Sequence, residues 1–453
     1  MKILIAGGGK VGRTLTSELS AEGHDITLID RNPRVLEETI EKYDVITLAG
    51  NSGSMKTLEE AGIRDMDIFI AATNADEVNL LSCLSARTLN PNIHTIARIR
   101  DPEYVDQALK MREIFSLSLV INPEKQAAGE IAKLLKYPGF LKRESFAKAR
   151  VEIVELKVRK GSRIANVQLS NLESRVRSKV LVCAVVRNNK AIMPDGSFVL
   201  QEGDKIYVTG KPAELHNMLI QTGVINMPVR NVFITGAGRI TYYLAEELGR
   251  SHIHCTIIDN NFSKCLDMSA RLPEATVING DVSDYSVLEA EEIDKYNAVV
   301  SLTGMDELNI ITSLYANISK VPQIVTKLGR GESSELVDSL PIGSTICPKE
   351  LCTMHIVRYV RAMQNKTGQA LTIHRIADGN AEAIEFLVDS STRHIGEAFK
   401  DVRIKKNILV VSVGIGNNTN IPNGNTSYKE GDTVVIVTDK NTVVNSLNDI
   451  FED

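Results

Sequence analysis

Apolar residues fall along this chain in short continuous runs, separated by longer stretches with helical spacing. Lys2 to Ala6 is one such run, and Ile26 to Asp30, Val45 to Leu48, Asp67 to Ala72 and Ile93 to Arg98 are four more. Between them the apolar positions recur three and four apart. That spacing predicts helices from near Lys10 to about Glu22, from Pro33 onward, and from Asp76 to Leu89. Proline is tolerated in a first helical turn, so Pro33 marks a start and not a break. Near-continuous apolar strands alternating with helices indicate a parallel sheet covered on both faces. With right-handed crossovers, residues 1–122 form a Rossmann-type domain. The texture then changes. Pro123 to Lys136 reads as an amphipathic helix with Ala127, Ile131, Leu134 and Leu135 on one side, and Tyr137-Pro138-Gly139 breaks it. From about 144 the pattern is β-rich, with strands at Val151–Val158, Val180–Arg187 and Lys205–Thr209. Turns fall at Pro194-Asp195-Gly196 and Glu202-Gly203-Asp204.

The second half repeats this plan. Gly7-Gly8-Gly9-Lys10-Val11-Gly12 is matched 229 positions later by Gly236-Ala237-Gly238-Arg239-Ile240, and Asp30 by Asp259 at the same offset. Thr73 recurs as Thr303, Asp76-Glu77 with Asn79 as Asp306-Glu307 with Asn309, and Arg98 as Lys327. Glu202-Gly203-Asp204 recurs as Glu430-Gly431-Asp432. A nearly constant offset of half the chain means tandem duplication of a two-part unit. The fold class is therefore α/β, with two Rossmann-type parallel-sheet domains, each followed by a small α/β module. The expected boundaries are 1–122, a helix and linker at 123–143, a first module at 144–228, a second Rossmann domain at 229–347, a helix at 348–367 centred on Glu350 to Met363, and a second module at 368–453.

The glycine loops carry the chemistry. Gly7 permits the tight turn, Gly9 lets backbone approach a pyrophosphate, and Gly12 lets the helix pack closely on the strand. Phosphates sit where the helix's free N–H groups and dipole favour an anion, and Lys10, matched by Arg239, adds a cation. Asp30, eighteen residues beyond Gly12 at the end of the second strand, is placed to accept from ribose hydroxyls. An acid there disfavours a 2′-phosphate, so NAD or a plain adenine nucleotide is preferred over NADP. The candidate binding residues are Gly7, Gly8, Gly9, Lys10, Val11, Gly12, Asp30, Thr73, Asn74 and Arg98. In the second half they are Gly236, Ala237, Gly238, Arg239, Ile240, Asp259, Thr303 and Lys327. Thr73-Asn74 and Thr303-Gly304 lie at the ligand-binding edge of such a sheet. Arg98 and Lys327 end the fifth strands, where they reach phosphate or serve as surface ion pairs. Asp76-Glu77 and Asp306-Glu307 read as acids complementing helix N-termini and not as catalytic groups. Thr241 stands where Gly12 does. Its β-branched side chain is expected to push the second helix out, so that the first half binds NAD(H) more tightly and the second prefers ADP or ATP, or serves as a scaffold. On that reading Gly12→Thr converts the first site towards the second.

Composition narrows the classes. At 453 residues, with 43% hydrophobic and 24% charged residues, the chain is an ordinary globular protein with room for several domains. A formal charge of −5 gives no basic footprint for nucleic acid. No apolar run approaches the ~18 residues of a spanning helix. The chain enters directly on a strand, which predicts no signal peptide and, with six scattered cysteines, reduced thiols in the cytosol. Cys347 and Cys352 lack the partners a zinc site requires, so no metal is expected. None of the eight histidines recurs across the duplication, whereas the nucleotide-site residues do. No catalytic residue is therefore assigned. A nicotinamide-dependent dehydrogenase would need a general acid or base and a second-substrate pocket, and it stays as the alternative class.

Taken together, the glycine loop, the acid, Gly50-Asn51 or Gly280-Asp281, the T-x-x-D-E-x-N run and the basic strand end resemble the RCK (KTN) domain family, which regulates potassium channels and transporters. The resemblance covers essentially the whole chain, with Asn51 and Thr241 as its departures. It implies a cytoplasmic regulatory subunit that forms a homotetrameric ring, peripheral on the inner face of the membrane under a membrane-embedded potassium transporter subunit. It also implies NAD(H) and ATP or ADP as ligands, and crossover helices around Pro123–Lys136 and Glu350–Met363 exchanged between neighbouring units. A regulator of a different ion transporter is the remaining alternative.

Overall fold

Most strands form where aliphatic and β-branched residues run together, and several end at an acid or just before a glycine, as at Asp30 and before Gly7. In the computed structural model the described residues are 1–136, 142–146, 151–188, 190–222, 228–329, 337, 340–364, 370–377, 380–415, 418–439, 442, 444 and 446–452. The helix break expected at Tyr137-Pro138-Gly139 lies outside them.

The first sheet contains β1 (Lys2–Ala6), β2 (Asp25–Asp30), β3 (Ile46–Ala49), β4 (Ile68–Ala71), β5 (His94–Arg98) and β6 (Leu119–Ile121). Their spatial order is β3-β2-β1-β4-β5-β6, all parallel. This is the doubly wound dinucleotide-binding order, with its crevice where β1 meets β4. The connecting helices are α1 (Lys10–Ala21), α2 (Pro33–Ile40), α3 (Met55–Glu60), α4 (Asp76–Leu89) and α5 (Pro102–Lys110), and α6 (Pro123–Lys136) follows β6. The sixth strand is not legible in the sequence, because three residues are too few to show a period. Burial follows the pattern: Leu15 and Leu19 of α1 and Ile3, Ile5, Ile68 and Ile70 of the strands are all at most 1% exposed.

The first module is an antiparallel sheet of β7 (Lys142–Phe146), β8 (Val151–Lys157), β9 (Val180–Arg187), β10 (Lys190–Ile192) and β11 (Lys205–Gly210), ordered β10-β9-β11-β8-β7. The short helix α7 (Leu172–Val176) precedes β9, and α8 (Pro212–Gln221) follows β11. Gly203 takes φ +92° in the turn before β11, a conformation that glycine adopts without strain.

The second parallel sheet repeats the first with β12 (Asn231–Thr235), β13 (His254–Asp259), β14 (Thr276–Asn279), β15 (Ala298–Ser301), β16 (Gln323–Lys327) and β17 (Ser344–Ile346), ordered β14-β13-β12-β15-β16-β17. Its helices are α9 (Arg239–Gly249), α10 (Phe262–Arg271), α11 (Tyr285–Ala290) and α12 (Asp306–Ile318). Helix α13 (Pro348–Gln364) leaves it with proline at its first position. The second module contains β18 (Ala370–Ile376), β19 (Ala381–Leu387), β20 (Ile408–Ile415), β21 (Asn418–Asn420) and β22 (Thr433–Asp439), ordered β18-β19-β22-β20-β21.

The chain does not divide at its midpoint. One compact unit contains residues 1–132 and 230–360, so both parallel sheets belong to it; the other contains 133–229 and 361–453. Within the first unit, Cys352, Ile356, Val357 and Val360 of α13 bury among Ile3, Leu15, Leu19, Ile96 and Ile121 of the first Rossmann core. The second half's helix thus completes the first half's hydrophobic layer. Within the second unit the two modules share a core in which Phe146, Ile153 and Tyr207 pack with Ala383, Val411 and Val435.

Candidate functional site

At the crevice of the first sheet a cleft of about 490 Å³ is lined by Gly7, Gly8, Gly9, Arg13, Asp30, Arg31, Asn32, Val35, Asn51, Ser52, Thr73, Asn74 and neighbouring residues. Gly7 takes φ +100°, and a Cβ there would come to 2.9 Å from Ala72 O and Thr73 N. The turn therefore requires glycine on both conformational and steric grounds. Gly9 is the opposite case: a Cβ built on it meets nothing within 4 Å. Its open side faces the place a phosphate would occupy.

Helix α1 starts at this loop without the usual N-terminal furniture. Gly9 is its N-cap, no side chain caps it, and its first turn carries no acid. Helix α9 starts in the same bare manner from Gly238. Helices α2, α5, α10 and α11 are capped by the side chains of Asn32, Asp101, Asn261 and Asp284, whereas α4, α8 and α12 lack a side-chain cap but carry acids in their first turns, and the short α3 has neither. Helix N-termini leave N–H donors unsatisfied and carry positive potential. Both glycine-loop helices begin without a capping side chain, with Lys10 or Arg239 at the first position.

Asp30 also holds the loop itself. Its Oδ2 accepts from Gly8 N–H at 2.6 Å and its Oδ1 from Asn32 N–H at 2.8 Å, so the carboxylate clamps the glycine loop to the start of α2. Asp259 repeats this with Ala237 N–H and Asn261 N–H, both at 2.8 Å. Each carboxylate oxygen retains a lone pair for a ligand hydroxyl. Asp30→Ala is accordingly expected to lower nucleotide affinity at least tenfold by calorimetry, within the ~1.5–3 kcal/mol of a charge-assisted hydrogen bond. Unchanged affinity would remove the ribose assignment.

The far lip is set by Asn79, the last residue of the T-x-x-D-E-x-N run, to which the sequence by itself assigns no site role. Asn79, fully buried, accepts through Oδ1 from Thr73 N–H (2.9 Å) and Thr73 Oγ1 (2.7 Å), and its Nδ2 donates to Arg98 O at 2.8 Å. Asn309 does the same for Thr303 and Lys327 O. One amide thus ties the ends of the fourth and fifth strands together in each half. Its sequence signal is its place in the T-x-x-D-E-x-N run and its recurrence after the paired acids. The aspartates of the paired acids hold backbone. Asp76 accepts from the N–H groups of Arg100 and Asp101, both at 2.8 Å, and Asp306 from Gly329 N–H at 2.9 Å.

The remaining expected residues divide clearly. Gly7, Gly8, Gly9, Asp30, Thr73 and Asn74 come together in the cleft. Val11 and Gly12 are buried beneath it, and Lys10 is exposed at the helix start. Arg98 does not line the cleft. It is largely buried 3.9 Å from Glu124, and burial lowers the basicity of its guanidinium. Lys327 is lowered by burial too, and its Nζ donates to Leu302 O at 3.3 Å and to Thr303 O. In the second half Gly236 takes φ +95°, and Thr241 is fully buried with Oγ1 donating to Gly236 O at 2.5 Å. All six cysteines are free thiols, and among the described residues no group of three or more His, Cys, Asp or Glu side chains could hold a metal ion.

Two doubly wound sheets in one chain, each with an uncapped glycine-loop helix beside an acid on its second strand, define a tandem Rossmann-fold protein. The chain belongs to the TrkA-N domain family, whose model matches residues 3–123 and again 232–348; the TrkA-C domain model matches 153–219. Among its relatives, a Trk system potassium uptake protein TrkA homolog of Archaeoglobus fulgidus is 29% identical over 96% of this chain and 97% of its own length. The Trk system potassium uptake protein TrkA of Vibrio alginolyticus is 28% identical over 100% and 99%. Among solved structures, the GsuK RCK domain shares the fold with a TM-score of 0.61 at 18% identity, over 97% of this chain and 92% of that one. The GsuK channel bound to NAD gives 0.61 at 19%, over 97% and 77%.

Proposed function

We propose that this protein is the nucleotide-sensing regulatory subunit of a potassium-uptake system, acting from the cytoplasmic face on a membrane-embedded, TrkH-like transporter subunit. The observation that carries the reading is the duplicated bare helix start, with its cation and facing carboxylate, in a chain whose full-length relatives carry potassium-uptake names. NAD(H), ATP or ADP are the expected ligands, and a solved neighbour of the same fold is bound to NAD. Among the described residues no helix is long and apolar enough to cross a membrane.

The mechanism is population shift: a nucleotide that binds one arrangement of the first unit more tightly biases the partner's gate. Moving an equilibrium from 1:99 to 99:1 takes ~5.5 kcal/mol of differential affinity, which several copies in a ring reach with small differences per site. Calorimetry of the full chain with NAD⁺, NADH, ATP and ADP tests the binding. Absence of any heat of binding would overturn the reading, and turnover of a hydride acceptor would redirect it to a dehydrogenase.

The assembly is the second expected outcome. Light scattering should return a homotetramer of the 49.8 kDa chain. A monomer at micromolar concentration, with and without nucleotide, would count decisively against a ring.

A further inference from the structure

The duplication is broken at one contact inside the first unit. Tyr243 of α9 projects from the helix that begins at the second glycine loop. Its hydroxyl accepts from Asn122 Nδ2 at 2.9 Å and donates to Arg100 O at 3.3 Å. Asn122 Nδ2 also lies 3.3 Å from Arg100 O, and Asn122 Oδ1 accepts from Lys125 N–H in the first turn of α6. Arg100 in turn donates through Nη2 to Asn74 O and through its own N–H to Asp76. Asn74 lines the first cleft. A continuous path of hydrogen bonds therefore runs from the lip of the first cleft to the helix of the second glycine loop.

Among the described residues no counterpart runs in the other direction. The residues that correspond to Arg100, Asn122 and Tyr243 under the duplication are Gly329, Cys347 and Thr14. Gly329 has no side chain, and Thr14 Oγ1 donates to Lys10 O within its own helix. Tyr243 and Asn122 are each 6% exposed. Burial pushes the Tyr243 phenol up, so its hydroxyl remains a proton donor across the physiological range. A buried hydroxyl with partners on both sides is costly to leave unmade, and a shift of Arg100 is transmitted to it.

We propose that Tyr243 is a positioning residue that couples the two nucleotide sites: occupation of the first cleft displaces Asn74 and Arg100, and Tyr243 passes the change to α9. This rests on the first cleft binding a nucleotide, as proposed above. By linkage, a ligand on the second glycine loop must alter first-cleft affinity by the same factor.

The test uses the full chain with the second site blocked. A Cβ on Gly238 meets nothing within 4 Å, so Gly238→Glu puts a carboxylate into that phosphate space without disturbing packing. In this background, saturation with NAD⁺ or ATP should slow amide exchange in residues 239–249 at least fivefold. Adding Tyr243→Phe, which keeps the ring, should reduce that change below twofold while calorimetric affinity at the first cleft stays within about threefold. Equal slowing with tyrosine and phenylalanine overturns the coupling and leaves the first-cleft reading standing. No calorimetric binding in the Gly238→Glu chain overturns that reading, and the coupling with it.

Discussion

Gly12→Thr is expected to destabilise the first unit by about 3 kcal/mol, the upper range for forcing extra atoms into a packed interior. A Cβ on Gly12 would come to 1.8 Å from Gly7 O, which is backbone and cannot rotate aside. The second half carries threonine at this place and survives, because its helix stands far enough out for Thr241 Oγ1 to hydrogen-bond Gly236 O. The crowding read from the sequence is thus real in the first half and resolved by a hydroxyl in the second. Simple interchange of the two sites does not follow, because each backbone is spaced for its own residue. Thr241→Gly should cost about 2 kcal/mol, from the lost buried hydrogen bond and the added helical glycine. Urea unfolding of the single variants decides this. Gly12→Thr unfolding at the parent midpoint would show that the first helix moves out freely, and the argument would fail.

Gly9→Glu has the opposite profile: a stable protein with a dead first cleft. Gly9 has φ −70°, which any residue adopts, and open space where its side chain would stand. The introduced carboxylate sits on the bare start of α1, where it satisfies the helix and excludes phosphate. Two like charges ~4 Å apart at an effective dielectric of ~20 repel by about 4 kcal/mol, so at least a hundredfold loss of NAD⁺ or ATP affinity is expected. Gly238→Glu should do the same in the second half. If the double variant binds nucleotide within threefold of the parent, the glycine loops do not hold phosphate. These blocked full-length chains are the right instruments for separating the sites. Cutting the chain at its midpoint would strip Cys352, Ile356, Val357 and Val360 of α13 from the first Rossmann core.

Much of this site is legible in the sequence. Gly7, Gly9 and Asp30 follow from backbone physics: a positive φ, an unobstructed approach and an acid at a strand end are requirements that a short sequence window can display. The same holds for the strand and helix alternation, whose periods are local. Lys327 shows the limit. Its place at the strand end is legible, but its engagement with the carbonyls of Leu302 and Thr303 depends on how β16 lies beside β15. Asn79 is visible as part of a motif but its role is not, because it meets Thr73 and Arg98 across the sheet edge.

The sequence by itself determined that the molecule is built twice, that each copy is a doubly wound sheet, and that each glycine loop faces an acid. Only the tertiary structure decided how the copies share their interiors. Helix α13 buries in the core of the other half. The Arg100–Asn122–Tyr243 contact joins positions 121 and 143 residues apart. The physical reason is range. Periodicity and glycine conformation are fixed within a few residues, whereas a contact between two copies depends on which side chains stand opposite one another after folding. Duplication makes the two sides alike at every position except those, such as Tyr243 and Thr14, where they have diverged.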